Sequence, residues 1–191
     1  MKKLFAGALM FFAALSAHAG IVSADFRTEA DLPNSGIGPL VHERLGATPG
    51  SGFELDRSDF VSNPSNWGGG EVWLDLDSST NVLSLFSQDT WDFYTFRVTL
   101  RNITGATING IELLSNNLTD TGLVPELSYT GDSVTIFYNS LTSSFNFTGG
   151  AATFALLIDA PAEVPEPQMV LLFGAGIALF GLARRRKNAH G

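Results

Sequence analysis

The segment Trp-Asp-Phe-Tyr-Thr-Phe-Arg-Val-Thr-Leu-Arg, residues 91–101, decides the fold class of this chain. Its apolar and polar side chains alternate at every second position, which is the period of a strand buried on one face. Four side chains are expected to point into a core: Tyr94, Phe96, Val98 and Leu100. The segment therefore predicts a half-buried β-strand.

The same alternation recurs on both sides of this segment. Further strands are predicted at residues 21–26, 71–76, 82–86, 108–114, 133–138 and 152–158. Turn-forming residues separate them, including Asp77-Ser78-Ser79 and Thr130-Gly131-Asp132. Roughly seven to nine short strands predict an all-β domain over residues 20–160, an antiparallel β-sandwich of immunoglobulin-like or jelly-roll type.

Residues 29–70 are dense in glycine and proline. We expect this stretch to form long loops with one or two short edge strands, because these residues punctuate regular structure. Long loops at the ends of a sandwich often carry its function.

The N-terminal 19 residues have the three parts of a secretory signal peptide. Lys2 and Lys3 form a positive region, residues 4–15 are apolar, and Ala17-His18-Ala19 is a small-residue cleavage site. Cleavage by signal peptidase is predicted to leave Gly20 as the first residue of the mature chain.

The C-terminus also has three parts. A linker, residues 161–168, contains Val164-Pro165-Glu166-Pro167, in which two prolines keep the backbone extended and accessible to a protease. The apolar residues 169–183 are predicted to form a transmembrane helix about 22 Å long. The tail, residues 184–191, begins with Arg184, Arg185 and Arg186, which by the positive-inside rule place it in the cytoplasm.

These three parts, in this order, resemble the PEP-CTERM sorting signal of Gram-negative bacteria. The resemblance implies that an exosortase, an integral-membrane cysteine transpeptidase, recognises the motif and cleaves near Pro165-Glu166-Pro167. It also implies export across the inner membrane, transient anchoring there, and then delivery to the cell surface or extracellular matrix. Residues 60–96 include Val61-Ser62-Asn63-Pro64, Trp67-Gly68-Gly69, Val72-Trp73-Leu74-Asp75-Leu76-Asp77 and Gln88-Asp89-Thr90-Trp91-Asp92-Phe93. In these segments they are similar to an ectodomain type that recurs among PEP-CTERM proteins, which implies fold and location only.

The charge of the predicted ectodomain excludes one class of partner. Residues 20–163 hold five arginines, no lysine and 18 acidic residues, a net charge of −13. A domain with this charge repels phosphate backbones, so we expect no nucleic-acid partner. The chain has no cysteine, which excludes disulfides, thiol nucleophiles and thiolate metal sites.

Enzymatic motifs are incomplete. His42-Glu43-Arg44-Leu45-Gly46 begins like a zinc-protease helix, but Gly46 stands where the second histidine is required. No G-x-S-x-G elbow is present, and no pair among the many carboxylates is singled out for glycoside hydrolysis. We predict that the protein is not an enzyme; a secreted hydrolase is the third-ranked reading.

Two binding chemistries are suggested by the residues. Candidate calcium ligands are Asp75, Asp77, Asp89 and Asp92, although the segment from Asp75 has Thr80 and Phe86 where an EF-hand loop needs glycine and glutamate. The alternative is that these are solvated turn residues. A candidate aromatic platform for sugar rings consists of Trp67, Trp73, Trp91 and Tyr94, for which the alternative is core packing.

The sequence favours two functions. The first is an exported, exosortase-processed surface or matrix protein with a non-enzymatic structural or adhesive sandwich. The second is a carbohydrate-binding module, supported by calcium or without any cofactor, that recognises an extracellular polysaccharide.

Overall fold

The computed structural model describes residues 20–32, 37–50, 52–62, 71–140 and 142–159. The predicted signal peptide, sorting motif, transmembrane helix and basic tail lie outside these ranges. Within them, no helix has the length and apolar character needed to cross a membrane.

The described residues form twelve strands and one short 3-10 helix, Arg57–Asp59. The first six strands are β1 (Ser23–Leu32), β2 (Ile37–Ala47), β3 (Phe60–Ser62), β4 (Val72–Asp77), β5 (Val82–Ser87) and β6 (Asp92–Phe93). The other six are β7 (Thr95–Thr104), β8 (Thr107–Asn116), β9 (Glu126–Thr130), β10 (Ser133–Asn139), β11 (Phe145–Asn146) and β12 (Ala151–Asp159). The predicted all-β class is confirmed.

All strand pairs are antiparallel. A six-stranded sheet has the order β3-β2-β1-β7-β10-β9, and a four-stranded sheet has the order β4-β5-β12-β8. A two-stranded ribbon pairs β11 with β6.

One hydrophobic core lies between the two large sheets. The six-stranded sheet contributes Phe26, Phe96 and Ile136, and the four-stranded sheet contributes Leu85 and Phe154, all fully buried in the same cluster. This arrangement fits the predicted sandwich. Apolar burial of this kind supplies the main folding energy of a domain that has no disulfide.

Aromatic rings fill the end of the core near the ribbon. The ring of Phe147 contacts that of Phe96 edge-on at 5.1 Å and that of Phe93 at 5.5 Å. Phe145 lies 5.9 Å from Phe147 and 6.4 Å from Tyr138. Edge-on and tilted ring pairs are the favoured geometry of buried aromatics.

The alternation of residues 91–101 is confirmed in part. Phe96, Val98 and Leu100 are fully buried on β7, as predicted. The prediction for Tyr94 is wrong: the strand is interrupted there, Phe93 is buried, and Tyr94 is only half-buried. The backbone of Tyr94 instead links the end of β1 to the residue after β10, since its N donates to Asp31 O and its O accepts from Ser140 N.

The prediction of long loops across residues 29–70 is also wrong in its first half. β1 continues to Leu32, and β2 is an 11-residue strand between β1 and β3 in the six-stranded sheet. Leu40, Val41 and His42 are consecutive buried residues, so β2 lacks the simple alternation that would have revealed it. Pairing with β1 along most of its length stabilises the strand despite Gly38, Pro39 and Gly46.

Candidate functional site

The outer face of the four-stranded sheet has the most distinctive side-chain arrangement among the described residues. On β4 the side chains of Val72, Leu74 and Leu76 are buried, so those of the intervening residues lie on the opposite face. β5 alternates in the same way. The register then forms cross-strand rows on the outer face: Trp73 beside Phe86, Asp75 beside Ser84, and Asp77 beside Val82.

The first row is aromatic. A third ring, Phe53, covers it from the segment before the 3-10 helix, at 4.8 Å from Trp73 and 5.6 Å from Phe86, both edge-on. Phe53 is 37% exposed, and both partners are half-buried. We call these three residues the aromatic row. Because the rings are held by each other rather than by the core, they present apolar area to solvent.

An open depression of about 500 Å³ lies at the end of the aromatic row. It is lined by Phe53 and Trp73 on one side and by Asp56, Arg57 and Ser58 on the other. Such a mixture of ring faces and polar groups is typical of sites that bind small polar molecules.

Hydrogen bonds fix the orientation of Trp73. Its Nε1 donates to Glu71 Oε1 at 2.7 Å, and the Glu71 backbone N donates to Asp89 Oδ2 at 2.9 Å. The guanidinium of Arg57 lies 3.9 Å from Glu71 Oε2, with 77% of its side chain exposed. The indole is therefore positioned before any ligand arrives.

Glu54 anchors the segment that carries Phe53 to the edge of β4. Its carboxylate accepts from Leu76 N at 2.6 Å and from Gly50 N at 3.0 Å. Its own backbone N donates to Leu74 O at 2.9 Å. Burial raises the pKa of Glu54, and the two backbone donors oppose that rise.

The second row is polar. It runs from Asp75 and Ser84 to Thr153 and Ser115 on the other two strands of the sheet. The hydroxyls of Thr153 and Ser115 are 2.7 Å apart. Burial and then the neighbouring Asp77 carboxylate raise the pKa of Asp75.

The four predicted calcium ligands are not brought together. Asp77 caps the β4–β5 turn, where its Oδ1 accepts from Ser79 N and Ser79 Oγ, and these bonds lower its pKa to about 2. Asp89 accepts from the backbone at the opposite end of β4, about 13 to 20 Å from Asp75 and Asp77 at 3.3 Å per residue. Across the described ranges, no group of three or more His, Cys, Asp or Glu side chains is placed to hold a metal ion.

The predicted aromatic platform is only partly assembled. Trp73 lies in the aromatic row, Trp91 is 45% exposed before β6, and Tyr94 is half-buried in the break before β7. Trp67 lies outside the described residues. The sequence reasoning missed Phe86, which alternation along β5 could have found, and Phe53, for which no sequence signal exists.

His42 is 1% exposed inside the six-stranded sheet. Its ring lies 3.7 Å from that of Phe60, its Nδ1 is 3.4 Å from Thr28 Oγ1, and its Nε2 is buried with no hydrogen-bond partner. Burial lowers its pKa to about 4, so the imidazole is neutral at pH 7. The segment that begins like a zinc-protease helix is in fact part of strand β2.

Comparison with known families identifies the C-terminal segment. Residues 163–187 match the family described as the PEP-CTERM protein-sorting motif. The chain carries a PEP-CTERM sorting motif. Neither a curated protein nor a solved structure matches the chain.

The match confirms the predicted sorting signal, since Val164-Pro165-Glu166-Pro167 and Arg184, Arg185 and Arg186 all lie within residues 163–187. It implies processing by an exosortase, and therefore export, a membrane-associated sorting step and extracellular placement. Because the match begins at residue 163, after the last strand of the β-domain ends at Asp159, it carries no information about the chemical role of that domain.

Proposed function

We propose that this chain is an exported, exosortase-processed surface or extracellular-matrix protein whose sandwich is a non-enzymatic structural or adhesive unit. The observation that carries the proposal is the PEP-CTERM motif at residues 163–187, directly after an all-β domain that ends at Asp159. The motif directs export of the domain, and the outer surface of the domain is then exposed to the extracellular environment.

The polar groups of the sandwich support a non-enzymatic role. His42 is neutral and inaccessible to a substrate. The carboxylates of Glu54, Asp56, Asp77 and Asp120 accept hydrogen bonds from backbone N–H groups of the sandwich, so they hold loops and turns. Holding loops and turns in place is a structural role and not a catalytic one.

Processing can be tested with a double variant, Pro165→Ala with Pro167→Ala, expressed in a host that has the exosortase. Full-length precursor should accumulate in the inner membrane, because the extended cleavage segment is lost. Pro161→Ala, in the linker before the motif, is the matched control and should be processed normally. Normal release of the double variant would contradict the proposal.

The aromatic row favours a second candidate function, a carbohydrate-binding module. Three rings held edge-on beside a polar row offer apolar faces for the C–H faces of sugar rings and hydroxyl partners for their edges. A glycan array probed with and without calcium tests this function. Binding that requires Trp73 supports it, and an array with no bound glycan contradicts it.

A further inference from the structure

The four-stranded sheet is acidic and carries no basic side chain. Its strands contain Asp75, Asp77, Glu112 and Asp159, and neither lysine nor arginine occurs in β4, β5, β8 or β12. The cations of the described strands are on β1, β2 and β7, all in the six-stranded sheet. The cations of the described strands therefore lie in one layer of the sandwich, whereas acidic residues occur in both layers.

Asp75 is the acid that adjoins the aromatic row on the side away from Glu71. It follows Trp73 by two residues on the same face of β4, a separation of about 7 Å. A hexose ring stacked on Trp73 and Phe86 would extend its edge substituents over Asp75 and its register partner Ser84. Asp75 accepts no hydrogen bond from any described residue, so its carboxylate is free to accept from a hydroxyl of the ligand.

An acidic sugar would meet a different environment at this position. Its carboxylate would lie beside the half-buried Asp75 carboxylate, with Asp77 next along the strand, and no cation of the sheet could offset the repulsion. Two cations lie near the aromatic row: Arg57 is beside Glu71, and Arg44 donates to Phe53 O and is paired with Asp56 and Asp59. Repulsion between like charges is strong where the groups are partly desolvated.

We propose, on the basis of the proposed carbohydrate-binding function, that the aromatic row takes a polysaccharide whose hexose units carry no acidic group. Asp75 is the residue that excludes chains bearing uronic acids. Specificity of this kind arises from an unfavourable contact with the wrong ligand as much as from contacts with the right one.

Matched ligands test the exclusion directly. The full chain, purified in detergent, is titrated calorimetrically with hexasaccharides of glucose, mannose and galactose and with the same chains oxidised at C6 to uronates. At least one neutral chain should bind, and its oxidised form should bind at least tenfold more weakly. Equal or tighter binding of the oxidised chain would overturn the inference while leaving carbohydrate binding intact. Binding of no chain would overturn both.

A pair of variants assigns the effect to Asp75. Asp75→Asn keeps a hydrogen-bonding side chain of the same size, and we expect it to reduce the preference for the neutral chain at least threefold. Glu126→Gln, on the edge strand of the other sheet, removes the same charge and should leave the preference unchanged. An unchanged preference in Asp75→Asn, with an unaltered melting temperature, would show that Asp75 does not set the specificity.

Discussion

The two outer faces of the sandwich use their polar side chains differently. On the six-stranded sheet, Arg27 pairs with Glu29 and Glu43 at 3.2 and 3.5 Å, and Arg101 pairs with Glu43 at 2.6 Å. Arg97 stacks over the Phe137 ring at 4.5 Å. On the four-stranded sheet, no described residue forms an ion pair with Asp75, and the Phe53 ring contacts those of Trp73 and Phe86.

On the six-stranded face the arginine side chains already have protein partners, whereas on the four-stranded face the aromatic rings and Asp75 can contact a ligand. Cross-strand ion pairs and a cation–π contact occupy Arg27, Arg97 and Arg101 on the six-stranded face, so a ligand would have to displace these contacts. The four-stranded face keeps apolar area and the half-buried Asp75 carboxylate accessible. A face with uncommitted aromatic groups is the better candidate for binding.

The largest expected effect compares two phenylalanines on neighbouring strands. Phe154 on β12 points into the core and is fully buried, whereas Phe86 on β5 points outward and is half-buried. Phe154→Ala should lower the free energy of unfolding by about 3–5 kcal/mol, because it removes buried area and leaves a cavity. Phe86→Ala should cost less than half as much and should abolish glycan binding.

Urea denaturation of both phenylalanine variants, alongside the parent chain, measures the difference. An equal loss of stability in the two would show that the aromatic row is a second core and not a ligand surface.

The next effect is the pH dependence contributed by His42 beneath the six-stranded face. Its pKa is about 4 in the folded state against about 6.5 in the unfolded chain, so the unfolded chain binds the proton more readily. This contribution is complete above pH 6.5 and is lost as the pH falls, about 3 kcal/mol between pH 7 and pH 4. The carboxylates of Asp59 and Asp56 act against the shift.

Unfolding free energies of the parent chain and His42→Phe between pH 4 and pH 7 check this contribution. The variant should have a distinctly flatter profile over that range. Parallel profiles would mean that His42 is protonated without cost in the folded state.

Glu54, at the edge of the four-stranded sheet, has a raised pKa, so its stabilising contribution is present at low pH and is lost as the pH rises.

A smaller effect on stability is expected when a carboxylate is neutralised, and its sign should differ between the two faces. Glu43→Gln removes the partner of Arg27 and Arg101 and should destabilise the protein by about 0.2–1 kcal/mol per pair, less at high salt. Asp75→Asn removes a half-buried charge that has no cation partner and should be neutral or slightly stabilising. Melting temperatures at low and high salt check the signs, and a destabilised Asp75→Asn would contradict the contrast between the faces.

The smallest expected effect is that of calcium. Because Asp75 and Asp77 are far from Asp89 along β4, we expect calcium, magnesium and sodium chloride to raise the melting temperature equally at matched ionic strength. A specific site filled at 100 times its dissociation constant would add about 2.7 kcal/mol, roughly 2–8 °C. A rise of that size in the melting temperature with calcium alone would support the predicted calcium site.

The sequence predicted those features that depend on a local residue pattern. Alternation located β7, β10 and β12 because each has one buried face, and the flanking prolines and arginines located the sorting motif. It did not predict β2, because three consecutive residues of that strand are buried. It did not predict β9 either, because Leu127 is half-buried and the other residues of that strand are exposed, so the strand shows little alternation.

The candidate site was less accessible to sequence reasoning because it depends on long-range placement. Trp73 was recognised as a candidate, but its neighbours were not. Phe86 joins it through the β4–β5 register, and Phe53 joins it through the bonds that Glu54 makes to β4. The separation of Asp75 from Asp89 likewise follows from the sheet and not from their spacing in the chain.

The two faces differ most directly in proposed ligand binding, since a glycan is proposed to bind the four-stranded outer face and not the six-stranded one. An NMR titration of the full chain with the bound neutral hexasaccharide tests it most directly. We expect the shifts to concentrate on the Trp73 indole, the rings of Phe53 and Phe86, and the amides around Asp75, with Arg97 and Phe137 unchanged. Shifts centred on Arg97 and Phe137, with an unperturbed Trp73 indole, would contradict it.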